Sequence, residues 1–156
     1  MRAGIAILLT AAAVLADDLP TLSFREFFDP SARELKPSAA LLALRGKRVR
    51  LVGFMAHLEL PPRGAFYLTP RPIVCDEAGG GTADLPPETV LVLVRSLAGE
   101  TVPFSPRALE VTGVLGIGPR EEEDGCTSMI RLMLDRPPDV PRARKQSQRS
   151  AEKGRP

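Results

Sequence analysis

Sixteen prolines in 156 residues restrict this chain more than any other feature. Each fixes its own backbone angle and removes an amide donor, so long helices have little room and central strands must run between prolines. The segments between them alternate. In "LRGKRVRLVGFMAHLEL", Arg48, Arg50 and Val52 fall on one side and Val49 and Leu51 on the other. The alternation stops at Gly53, and Phe54, Met55 and Leu58 follow in a new phase. A glycine inside a strand marks a bulge or a bend.

Four more strands follow by the same reasoning. "PPRG" turns the chain into "AFYLT", residues 65–69. "TVLVLV", residues 89–94, is apolar on both faces, as a central strand should be. In "ALEVTGVLGIG", Leu109, Val111, Leu115 and Ile117 share a face with Gly113 between them. "TSMIRLMLD" closes the set with Ile130, Leu132 and Leu134 on one side, after a turn signalled by Asp124-Gly125. One short helix is expected where Ser38 can cap "AALLAL", with Gly46 near its end. The count predicts a mainly all-β fold, a small five-stranded barrel of the OB type with one short N-terminal helix. A small β-sandwich is the alternative.

The two ends differ in composition from this body. Met1 and Arg2 precede an uncharged apolar run to Ala16, with small residues at Val14 and Ala16 and acidic Asp17 and Asp18 next. The run is shorter than the ~20 residues of a membrane span and has the flanks of a secretory signal. Residues 1–16 therefore read as a signal peptide, 17–37 as an N-terminal extension and 38–136 as the barrel domain. Residues 137–156 read as a basic tail with too little apolar surface to order itself. That tail carries six Lys or Arg against Asp139 and Glu152, whereas residues 17–136 hold fourteen basic and seventeen acidic side chains. The body is mildly acidic, and the tail can make weak contact with anionic surfaces. The predicted location is periplasmic or secreted.

Few chemistries survive the residue inventory. His57 is the only histidine, so no site built on paired histidines exists, and the chain has no G-x-S-x-G elbow, phosphate-binding loop or C-x-x-C dithiol. The expectation is a non-enzymatic protein with no catalytic residues and no cofactor. Four constellations remain for inspection. Cys75 and His57 have the residue types of a nucleophile and its base. Cys75, Asp76 and His57, with Cys126, have the donor types of a zinc or copper site. The run Glu121 to Asp124 can attract cations, although a solvated hairpin tip is the simpler reading. Arg45, Lys47, Arg48 and Arg50, with Phe54, Phe66 and Tyr67, would suit single-stranded nucleic acid if the chain stayed in the cytosol. Export and an acidic body argue against that partner.

In an exported chain, two cysteines are most simply accounted for by one disulfide, Cys75 to Cys126. The bond would pin the Pro- and Gly-rich connection after the second strand to the start of the last strand.

Three stretches, "LRGKRVRLVGFM", "FYLTPRPIVC" and "LPPETVLVLV", resemble a family of bacterial exported proteins designated domain of unknown function 3299. The likeness extends over residues 38–95, with a fainter match at "LEVTGVL". It implies an exported, barrel-like binding or accessory domain, linked to envelope transport or metal handling. In that family a histidine usually follows the cysteine, and here Asp76 takes its place. His57 falls where the family tends to have proline, so no role is carried over to it.

The combined expectation is an exported binding or accessory domain of the bacterial cell envelope, partnered by an envelope protein or a small ligand. A periplasmic metal-binding protein is the alternative. Protein from the native soluble fraction should begin at Asp17. N-terminal sequencing that finds Met1 there would remove the argument for export.

Overall fold

A computed structural model describes residues 19–75, 81–122 and 125–138. The expected signal peptide, its cleavage site, Asp76 and nearly all of the basic tail lie outside these residues. Among the described residues the fold is mainly β, with strand making up 44% and almost no helix. Among the described residues no helix is long and apolar enough to cross a membrane.

Among the described residues eight strand segments occur: β1 (Thr21–Leu22), β2 (Arg48–Met55), β3 (His57–Leu58), β4 (Ala65–Thr69), β5 (Val74–Cys75), β6 (Val90–Leu93), β7 (Ala108–Glu121) and β8 (Thr127–Leu134). Six form one sheet in the order β1-β2-β4-β6-β8-β7, and β3 and β5 form a separate parallel pair. The five long segments predicted from alternation all lie in the one sheet.

A further antiparallel pairing joins β2 to β7, from Arg48 opposite Val114 to Phe54 opposite Ala108. Five strands are thus linked in a circuit, β2-β4-β6-β8-β7 and back to β2. All contacts in the circuit are antiparallel except β6 with β8.

The alternation assigned the inward faces of the long strands, but the change of phase expected at Gly53 does not occur: β2 keeps its period through that residue, with Val49, Leu51 and Met55 all buried and its register with β7 unshifted. Val49, Leu51, Leu109, Val111, Leu115, Ile117, Ile130, Leu132 and Leu134 are all buried. They form a single core with Val90, Val92 and Phe66. Helix α1 (Ala39–Ala43) begins at the predicted cap, where the Ser38 hydroxyl accepts the Leu41 amide at 3.0 Å. Its buried Leu41 packs on the core.

The segment before the helix belongs to the same core. β1 adds to β2 in parallel, and Leu22, Phe24 and Phe27 are buried, with the two phenylalanine rings 5.1 Å apart. The N-terminal extension thus contributes Leu22, Phe24 and Phe27 to the core.

Gly113 is fixed by proximity. A Cβ there would overlap the Met133 carbonyl on β8, whereas one at Gly116 would meet only the Arg131 side chain at 3.5 Å. Gly113→Ala should lower stability by roughly 1–3 kcal/mol through overpacking, and Gly116→Ala by clearly less. Urea titration of the two variants checks this, and equal losses would contradict the close approach.

Candidate functional site

A cleft of about 560 Å³ lies within the usual size range for a small-molecule site. Its floor comes from adjacent strands, since β4 and β6 pair Ala65 with Leu93 and Tyr67 with Leu91. Ala65, Leu91 and Leu93 all line the cleft. One wall is the turn before β4. Here Gly64, at φ 64°, donates its amide to the Glu100 carbonyl at 2.7 Å and accepts the Val94 amide at 2.7 Å. Arg63 extends from that turn, and its Nη1 donates to the Gly99 carbonyl at 3.3 Å. Arg95, in the one-turn 3-10 helix Arg95–Leu97 after β6, stands on the rim.

The opposite wall is the far end of β7. The β7–β8 register shifts between Ile117 and Arg120, where Gly118 takes φ 115°, a value that side-chain-bearing residues rarely adopt. After this irregularity Arg120, Glu121 and Glu122 line the cleft. Glu122 is not a solvated tip residue. Its carboxylate accepts the Ser128 hydroxyl and lies 4.0 Å from Arg131 Nε, both side chains of the ion pair being only 13% exposed. Arg131 also donates to the Gly118 and Ser128 carbonyls at 2.9 Å each. Burial pushes the Arg131 guanidinium below its ordinary pKa, and neighbouring Glu122 opposes that shift. The rest of the acidic run, Glu123 and Asp124, lies outside the described residues.

The other constellations are not assembled. His57 is in register with Val74, and Leu58 with Cys75. Successive strand residues point to opposite faces, so the His57 and Cys75 side chains diverge. Cys75 is buried at 3% exposure, while His57 is exposed and meets Phe104 edge-on at 4.6 Å. A nucleophile–base pair is not formed. No cluster of three His, Cys, Asp or Glu residues able to hold a metal occurs among the described residues, and Asp76 is outside them.

Cys75 and Cys126 are not at disulfide distance, which corrects the expected bond. The reason is register. Cys75 lies at the end of the sheet where Phe54 pairs with Thr69 and Ala108, the first residue of β7. Cys126 adjoins Thr127, which pairs with Glu121, the last residue of β7. The path along that fourteen-residue strand is on the order of 40 Å.

The aromatic and basic platform also separates. Phe66 is 2% exposed and belongs to the core, leaving Phe54 and Tyr67 half-buried. Arg48 Nε pairs with Asp135 at 2.6 Å and Arg50 Nε with Glu110 at 3.4 Å. The Arg50 atom is shielded from solvent without a hydrogen bond, so that contact is an ion pair alone. Arg45 and Lys47 are exposed in the preceding turn.

In comparisons with known proteins, the sequence matches no protein-family model and no curated protein.

Sequence reasoning missed Arg63, Arg95 and Arg120. Each adjoins a strand end, and only the strand pairing brings those three ends around one cleft. The two thiols provide a direct check on the geometry. Without reductant, a maleimide should label Cys126 quickly in the native protein and reach Cys75 only after denaturation. Loss of both labels until reductant is added would restore the disulfide.

Proposed function

We propose that this chain is an exported, non-enzymatic binding domain of the cell envelope, and that its five main strands close as an OB-type barrel. The circuit of pairings supports the barrel. In a five-stranded Greek-key barrel the first strand meets both the second and the fourth, as β2 meets β4 and β7. The apolar run ahead of Asp17 supports export, and so does the likeness to exported proteins of unknown function.

The observation that carries the binding reading is the position of the cleft. Barrels of this type bind ligands on the face of their second and third strands, between the loops joining strands one to two and four to five. Here the corresponding parts are β4 and β6, the β2–β4 connection with Arg63 and Gly64, and the β7–β8 end with Glu121 and Glu122. The opposed faces of His57 and Cys75 support a role without covalent chemistry.

Ligand-observed NMR against a fragment library tests the site. Fragments should bind the wild type and lose binding in Ala98→Trp, where an exposed cleft-lining residue becomes large enough to fill the space. Binding that survives this change, or maps to the His57 side, would displace the assignment. Turnover abolished by Cys75→Ser would overturn the non-enzymatic part.

A further inference from the structure

We infer that the cleft takes a ligand with an apolar body ending in one carboxylate group. The inference deepens the binding reading and rests on it. Three arginines from three separate elements line the same cleft: Arg63 before β4, Arg95 after β6 and Arg120 at the end of β7. Arginine offers a planar fork of donors that matches a carboxylate in two parallel hydrogen bonds. Against them stand Glu121 and Glu122, which leaves one net positive charge in the lining.

One of the two acids is already engaged. Glu122 accepts from Ser128 and faces Arg131, with Arg120 Nε at 3.9 Å from its second oxygen. Arg120 is 58% exposed, so this last contact is weak and readily exchanged for a ligand oxygen. Arg95 is exposed, and Arg63 makes one long hydrogen bond to a carbonyl. A surplus of one charge suits a monoanion better than a phosphate monoester or a polyanion.

The floor decides the rest of the ligand. Pro62, Leu93 and Ala98 offer aliphatic surface above the nearly buried Ala65 and Leu91, and no aromatic residue lines the cleft among the described residues. Nucleobases need π-faces on which to stack. An aliphatic chain needs only apolar area, at roughly 25 cal/mol per Å² removed from water. Such a chain with a terminal carboxylate occurs in free alkanoic acids and at the C-terminus of an apolar peptide.

The test uses the processed full-length protein and four probes: decanoate, decyltrimethylammonium, the tripeptide Leu-Leu-Leu and its C-terminal amide. Amide shifts in ¹H–¹⁵N spectra locate binding, and calorimetry measures it. Decanoate or the free tripeptide should shift Gly64, Arg95, Gly99 and Glu121, and the ammonium and the amide should bind at least tenfold more weakly. The tighter of the two carboxylates identifies the source. Arg95→Ala combined with Arg120→Ala should weaken carboxylate binding at least tenfold without changing the thermal midpoint, because both side chains are exposed. Equal cleft binding by decyltrimethylammonium and decanoate would overturn the carboxylate inference and leave the binding site standing. Failure of all four probes to shift any cleft residue would remove both.

Discussion

At Gly53, three groups arrive where a methyl would otherwise stand. The Thr69 carbonyl lies 2.8 Å from that point, and the Leu68 side chain and the Phe24 ring lie at 2.9 Å each. β2 has to serve three neighbours there. It keeps β7 along one side, while its other side passes from β1 at Arg50 and Leu51 to β4 at Phe54 and Met55. A side chain at the changeover would hold β4 and the N-terminal phenylalanine away. The placement of β4, and therefore of the cleft floor it shares with β6, depends on that missing atom.

The sequence made the sheet legible because its faces are chemically distinct. Val49 and Leu51 against Arg48 and Arg50 leave one orientation for β2, and a one-residue slip would expose its whole apolar set. Ser38 specified the start of the helix through a local hydrogen bond. β1, β3 and β5 were not legible, since two-residue segments carry no period. Phe66 was misplaced because β4 is buried on both faces except at Tyr67, so alternation could not say which aromatic points inward.

The same limit applied to the site. The disulfide expectation treated Cys75 and Cys126 as neighbours of loops, and their separation is set by the register of β7, which no local pattern encodes. The arginines of the cleft are 25 to 57 residues apart in sequence, and their convergence follows from β4–β6 pairing and the Gly118 irregularity. Glu122 looked like one of several interchangeable acids in a turn. Its contacts with Ser128 and Arg131 single it out, and they arise only because Arg131 lies beside Gly116 and Leu91.

The parallel contact between β6 and β8 also bears on how the chain reaches this state. Leu91 waits for Arg131, and Arg48 waits for Val114, so the pairings that complete the circuit join residues forty or more positions apart. Topologies dominated by such distant contacts fold slowly, because loop entropy is lost before the contacts form. No early subset of strands buries the core on both sides. A chain emerging from the ribosome would thus stay loose until β8 is free.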